Sequence, residues 1–372
     1  MKRILIIGIF YFLSCKLISQ VPSFDSPVRL DVVQWNIEWF GDPTNGPSNE
    51  NTQLTNATQL IKGMNVDLMS LCEISDSIYW GKLLASIPNY SGVISTWSQT
   101  QKTALIFKKD QFKLLYSKHI LNQYEADFAS GRLPLEVGLE RNILGKLDTI
   151  FVWVIHLKAN IGTTAQKSEA YNKRYNASVY LKNYVNQFFR NKKGLIMGDW
   201  NDDFDKSIYN SNTSPFVNWR DDAAYLVPTY QLSLKGQRTT ASYTDAIDHI
   251  AVTPGLKSYW VKDSVQAFYA NAYIGSFSSN TSDHFPVYTR FYDAISTTSN
   301  LVEFDYVTVP NFDGTQWQGD PLILQQEIQV YSAKGEDIFK GKWLNFIPPK
   351  EILFRILMKD AHFSSPRYWV IY

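Results

Sequence analysis

Short apolar runs recur along the chain, and several stop abruptly at a residue able to carry charge or coordinate a cation. Asp31–Phe40 has mixed alternation and is closed by Gly41-Asp42-Pro43. Asp67–Cys72 is nearly continuous and ends in Glu73, Phe151–Ile155 ends in His156, and Gly194–Gly198 ends in Asp199 and Asn201. Runs of this length, bounded by polar punctuation, predict buried strands. Thr103–Phe107 predicts a further strand, as does Tyr243–Val252. Helical spacing appears at Ala57, Leu60, Ile61 and Met64. A long helix is predicted over 164–191, with Ala177, Leu181, Tyr184 and Phe188 on its buried face and Gly194 as its stop. Residues 204–242 are loop-rich and aromatic, a pattern suited to substrate-facing loops. The order of elements predicts an α/β catalytic domain over 27–293. The character changes after Tyr292: a linker at 294–300 precedes a β-rich segment, 301–372, in which Glu327–Tyr331 and Arg367–Tyr372 alternate strongly.

Composition is compatible with that plan. The 372 residues are 45% hydrophobic and 15% aromatic, enough for a full core with β-rich packing. The formal net charge is +1, from 36 basic and 35 acidic residues. Lys2, Arg3 and Lys16 are the only charges in the first 20 residues, so the remainder holds 33 basic against 35 acidic residues, a net of −2. No bulk field attracts a polyanion, and nucleic-acid binding would require a local groove. Lys2 and Arg3 precede the apolar run Ile4–Leu13, which is too short for a mature membrane anchor and reads as a signal peptide over 1–20, predicting a secreted, cell-surface or periplasmic protein. Cys15 offers a lipoprotein alternative. With Cys72 the only other cysteine, the mature chain has no internal disulfide.

The chemistry is concentrated at the strand ends. In extended chain, residues two apart share a face, so Asp199 and Asn201 present a carboxylate beside an amide while Trp200 points away and packs. Gly198 permits close approach to the backbone. Carboxylate and amide oxygens suit a hard cation or a phosphate site. Alone, Asp-x-Asn is more often an ordinary turn. Five strand-like segments, however, end near Asn36, Glu73, His156, Asp199/Asn201 and Asp283/His284. A lone histidine is more often structural than catalytic, but three of the five histidines, His156, His249 and His284, lie in these segments. Asp248 and His249 alternate faces, so only one of them enters a shared site. Asp283 and His284 both serve it only if the backbone turns, as Pro286 favours. Arg132 is a surface residue by default and a phosphate binder only if it lands beside the others.

The ordered motifs QWNIEW, LCEI, VIHLK, MGDWND, IDHI and SDHFP resemble the endonuclease/exonuclease/phosphatase superfamily over roughly residues 29–292. The resemblance implies a four-layered α/β sandwich with two central mixed sheets, and a phosphoesterase that uses Mg2+, with Mn2+ or Ca2+ as alternatives. It implies metal binding by Asn36, Glu73 and Asp283, with Glu73 the main ligand. It implies catalytic roles for His156, Asp199, Asn201, Asp248 and His284, with Asp248 fixing the His284 tautomer, and substrate binding by Arg132 and Asn201. The absence of an apurinic-endonuclease tyrosine, of inositol-phosphatase signature loops and of a membrane-docking hairpin favours a secreted deoxyribonuclease-like nuclease. A phosphoesterase of lipid or sugar phosphates is the alternative. The C-terminal segment, through Val330–Phe339 and Leu353–Ile356, resembles the sorting domain of the type IX secretion system, which would make secretion machinery a partner; a generic β-sandwich accessory domain is the other reading.

Overall fold

The computed structural model describes residues 20–26, 29–143 and 146–292, and beyond them only 311–312, 317–318, 327–332, 337–342, 345, 354–358 and 367–371. The predicted signal peptide up to residue 19 and the predicted linker 294–300 lie outside the described residues. The chain divides between Ser296 and Thr297 into two compact units.

Among its described residues the first unit holds eleven strands: β1 (Arg29–Phe40), β2 (Leu68–Ile74), β3 (Tyr90–Ile94), β4 (Lys102–Lys108), β5 (Phe112–His119), β6 (Leu135–Ile143), β7 (Lys146–His156), β8 (Lys193–Asp199), β9 (Asp248–Val252), β10 (Gln266–Ala267) and β11 (Val287–Tyr292). One sheet has the order β10-β11-β1-β2-β4-β3 and the other β5-β6-β7-β8-β9. Both are mixed: β1 pairs with β2, and β7 with β8, in parallel, and the other pairings are antiparallel. Three long helices, α1 (Glu50–Met64), α2 (Ser77–Ser86) and α3 (Thr164–Phe188), start at side-chain caps from Asn49, Asp76 and Thr163, the last a complete capping box with Gln166.

Period-2 alternation builds the layers. Val32, Leu68, Val152, Val154, Leu195, Met197 and Ile250 fill the space between the sheets. Val33, Trp35, Met69 and Leu71 face the other way, onto Leu60, Ile61 and Met64 of α1 and Leu83 of α2. Trp153, Ile155 and Ile196 face Ala177, Leu181 and Val185 of α3. The result is the expected four-layered α/β sandwich. The second unit contains a four-stranded antiparallel sheet, with Asp337–Lys342, Glu327–Ser332, Phe354–Met358 and Arg367–Ile371 in that order, and a two-stranded pairing of Asn311–Phe312 with Trp317–Gln318.

Several expectations need correction. The buried stripe of α3 is Ala170, Arg174, Ala177, Ser178, Leu181, Lys182 and Val185. Phe188 is 54% exposed and Tyr184 only partly buried, because an apolar pattern cannot register a buried arginine as part of the stripe. α3 stops at Phe188, and Gly194 is inside β8, where a Cβ would meet the Trp153 ring at 2.6 Å. Only Asp248–Val252 of the predicted 243–252 strand forms. β5 and β6, neither expected, extend the second sheet. The aromatics of 204–242 are largely core: Phe204, Phe216 and Trp219 pack edge-on or tilted around the fully buried Trp200.

Gly198 sits where β7 and β8 run closest, and a Cβ there would lie 1.9 Å from the carbonyl oxygen of Ile155. Backbone cannot yield as a side chain does. Gly198→Ala is therefore expected to destabilise the first unit by about 1–3 kcal/mol or more, read as a lowered urea midpoint. An unchanged midpoint would show that the parallel pairing tolerates separation here.

Candidate active site

β1, β2, β7 and β8 end at one edge of the sandwich, and β9 and β11 begin there. Asp248, expected inside a strand, opens β9, and the Asp283-His284 pair stands where the chain enters β11, not where a strand ends as its motif suggested. Register places His156 beside Asp199, and Asp199 beside Asp248, on adjacent strands. All three continue the inward faces of their strands, as period 2 requires. His249, one residue on, faces the opposite layer: its ring touches Thr229 Oγ1 at 3.1 Å and the Ala246 carbonyl at 2.8 Å.

Glu73 breaks the alternation. By parity it belongs on the face of Met69 and Leu71, but φ is +66° and the register of β2 slips after Leu71, which turns its carboxylate into the site. Left-handed backbone at a glutamate is unfavourable and persists only where its surroundings hold it. Here Trp39 N–H donates to Oε2 at 3.1 Å and Asn36 Nδ2 to Oε1 at 3.0 Å. Asn36 Nδ2 also reaches Asp199 Oδ2 at 3.0 Å, so one amide bridges the two acids. Glu38 N–H occupies Asn36 Oδ1, so that oxygen would meet a cation only after a half-turn of the amide.

Asn201 also has φ +55°; its backbone N–H holds Asp199 Oδ1 at 2.8 Å, leaving Oδ2 toward the site, and its side chain donates to the Leu157 carbonyl. Trp200 packs away from the site, as expected. His284 Nδ1 lies 2.7 Å from Asp248 Oδ2, and its Nε2 faces Asp199 at 3.9 Å and Asp283 at 3.8 Å. Ser282 Oγ anchors this loop on the Asn36 carbonyl, and Trp35 Nε1 donates to the His284 carbonyl. Arg132 donates to the His156 and Leu157 carbonyls and to Gln101, placing its guanidinium behind His156.

The two histidines diverge electrically. Burial, then Arg132 and His284, push His156 well below the ordinary histidine value. Burial would lower His284 too, but the Asp248 carboxylate, with Asp199 and Asp283, outweighs it and holds the imidazole well above that value. Burial and the Asp248 charge raise Asp199. The structure also puts Glu38 at the site. Burial and the Asp283 and Glu73 charges push it up to about 7, and its Oε2 accepts the Asp283 N–H at 2.9 Å. Its sequence signal was its spacing of two from Asn36.

Glu73, His156 and Asp199 offer ligand atoms within 4.8 Å of one another, and so do Asp199, Asp248 and His284. Asp283, expected as a ligand, joins neither group among the described residues; its side chain is 41% exposed and lies 3.8 Å from His284 Nε2. The donor set fits a divalent cation. Crowded carboxylates need neutralising, oxygen donors suit a hard ion, and His156 turns Nε2 to Glu73 Oε1 at 3.7 Å and Asp199 Oδ2 at 3.6 Å.

The Endonuclease/Exonuclease/phosphatase family profile matches residues 33–284, which spans every site residue above. No curated protein sequence matches significantly. Among solved structures, a humanized D. rerio TDP2 carrying 14 mutations is 16% identical with a TM-score of 0.53, covering 72% of this chain and 100% of its own. An endonuclease/exonuclease/phosphatase from Bacteroides vulgatus is 13% identical, TM-score 0.51, covering 70% and 98%. D. rerio TDP2 complexed with a single-strand DNA product is 14% identical, TM-score 0.51, covering 71% and 99%. These likenesses concern the fold. With the profile covering the whole constellation and the sandwich assembling it at one edge, the chain belongs to the endonuclease/exonuclease/phosphatase family of phosphoester hydrolases.

Proposed function

We propose that this chain is a secreted, divalent-metal-dependent phosphodiester hydrolase acting as a nuclease. One observation carries the reading: Glu73, His156 and Asp199 crowd into a cation-sized group beside an imidazole that Asp248 orients at 2.7 Å. Glu73 and Asp199 would hold the cation, with Asn36 after its half-turn, and Mg2+ suits so few protein ligands because it keeps several waters. A bound divalent ion supplies a charged anchor for phosphate oxygens and makes water more acidic. The rest falls to side chains. Asp199 Oδ2, its partner oxygen fixed by Asn201, orients the attacking water and accepts its proton. His284, with Nδ1 held by Asp248, presents Nε2–H to the phosphate oxygens that gain charge. Neutral His156 supports the same group from β7, and Arg132 adds positive charge behind it. D. rerio TDP2, which shares this fold, has been solved complexed with a single-strand DNA product, which supports a nucleic-acid substrate here. The signal-peptide pattern at the N-terminus supports secretion.

The test is plasmid DNA, RNA and bis-p-nitrophenyl phosphate incubated with the full chain, with and without EDTA. Metal-dependent cleavage of nucleic acid is expected. Release of phosphate from lipid or sugar phosphates, with nucleic acid untouched, would transfer the assignment to a phosphomonoesterase or lipid phosphoesterase. No metal-dependent hydrolysis of any substrate would end the reading.

A second readout needs no turnover. Mg2+ at about 100 times its Kd is expected to stabilise the fold by about 2.7 kcal/mol, seen as a raised thermal midpoint. Glu73→Gln should lose most of that gain. An equal gain in Glu73→Gln would place the ion elsewhere.

A further inference from the structure

A cavity of about 520 Å3, lined by none of the candidate site residues, lies between α3 and the segment 118–124, which is the end of β5 and the turn after it. Its volume falls within the ~300–1,000 Å3 of small-ligand pockets. α3 contributes Tyr180, Asn183, Tyr184, Gln187 and Phe188, spaced so that they share one helix face. That face has left the core: the buried stripe runs along Ala177, Leu181 and Val185, and Phe188 is 54% exposed. Tyr180 stacks on Tyr124 with centroids 3.7 Å apart and planes 8° from parallel, and Tyr184 meets Phe188 at 5.1 Å. The walls are therefore aromatic.

The polar lining is made of amides. The side chains of Asn122, Gln123, Asn183 and Gln187 form no hydrogen bond with the described residues. Each offers two donors and one acceptor oxygen. Charge is already committed. Lys118 Nζ lies 3.2 Å from Glu136, a wholly buried carboxylate that also accepts from Tyr116 and Trp153. His119 Nε2 is taken by Ser95 Oγ at 2.9 Å. No uncommitted cation faces the cavity, so a phosphate-bearing ligand has no counter-charge there. Flat aromatic surfaces and unpaired amides instead match a ligand with apolar ring faces and many hydroxyls. Tyrosine gives such contact area at low entropy cost.

We propose that this cavity binds a neutral oligosaccharide, with sugar rings against the Tyr180, Tyr184 and Phe188 face of α3 and hydroxyls paired to the four amides. The site would tether the protein to a glycan while the catalytic edge stays open, and it does not depend on the hydrolase reading.

The test titrates the full chain with cellotriose, maltotriose and N,N′,N″-triacetylchitotriose, followed by ligand-observed NMR and calorimetry. At least one is expected to bind with Kd on the order of 0.1–1 mM. The triple variant Asn183→Ala/Gln187→Ala/Phe188→Ser, at exposed positions, should weaken binding at least about tenfold while the thermal midpoint and phosphodiester hydrolysis stay unchanged. Asn122→Ala/Gln123→Ala, on the facing segment, should weaken it independently, which covers the case in which the helix variant misfolds. No binding of all three sugars at about 10 mM would overturn the proposal. So would undiminished binding in both variants, or a preference at these residues for a sulfated heparin tetrasaccharide over the neutral sugars.

Discussion

His284→Ala is expected to lower kcat/KM for phosphodiester hydrolysis by about 10²- to 10⁴-fold, the usual worth of a positioned proton donor. The geometry behind this is specific. Asp248 holds Nδ1 at 2.7 Å, Gln34 steadies the other Asp248 oxygen at 3.5 Å, and Ser70 Oγ in turn fixes Gln34. That chain of partners sets one tautomer and aims Nε2 at the space beside Asp199. Asp248→Asn should therefore lose activity on a comparable scale, because an amide can present its NH2 to Nδ1 and reverse the tautomer. The two substitutions together should be little worse than His284→Ala alone, as expected of groups that act as a unit. Hydrolysis of bis-p-nitrophenyl phosphate by the three variants, with thermal midpoints measured in parallel, decides the matter. Wild-type activity in His284→Ala would remove that residue from the mechanism, and multiplicative losses in the double variant would dissolve the pair.

Arg174→Met is expected to destabilise the first unit by about 3–5 kcal/mol, the largest stability effect foreseen for a single side chain here. Arg174 and Asp202 have wholly buried side chains. Two guanidinium nitrogens reach the same Asp202 oxygen, Nε at 2.9 Å and Nη2 at 2.8 Å, while Nη1 donates to the Lys158 carbonyl. Removing the cation leaves a buried carboxylate with only Ser207 Oγ and two backbone N–H groups as partners. At roughly 2–4 °C per kcal/mol for a unit of this size, the thermal midpoint should fall by about 10 °C. Arg174→Met/Asp202→Leu should recover part of the loss, since the unpaired charge goes with its partner. A loss below about 1 kcal/mol in the single variant would mean that water reaches the pair. Because Asp202 adjoins Asn201 and Lys158 follows Leu157, this pair also ties the Asp199 loop to the end of β7.

Much of the architecture was legible in the chain. The short apolar runs specified the central strands of both sheets, because a strand covered on both faces must be apolar almost throughout. Trp200 was read as packing opposite Asp199, and Asp248 and His249 as facing opposite layers, from period 2 alone. The six ordered motifs pointed to the family, and the matched profile spans all of them. Other features were invisible for physical reasons. β5 and β6 lack a clear apolar run because β5 is an edge strand with much of one face in water. Arg174 is buried against the usual preference, and only its partner, 28 residues away, makes that tolerable. Asp283 was expected beside the cation; its carboxylate lies 3.8 Å from His284 Nε2 but belongs to neither compact ligand group among the described residues, a distance that no spacing along the chain could give.

By itself the sequence determined the strand faces and which residue types could meet at one edge, since these depend on local periodicity and hydrophobic burial, while the four layers were implied by the family resemblance. Only the tertiary structure decided that Glu73 turns into the site through left-handed backbone, that Asn36 bridges two acids, that Glu38 joins them, and that burial pushes His156 down while the Asp248 carboxylate pushes His284 up. Each of those depends on distances and burial among residues from different strands, and electrostatic interaction at a few ångströms in a dry site is set by the fold, not by the neighbours along the chain.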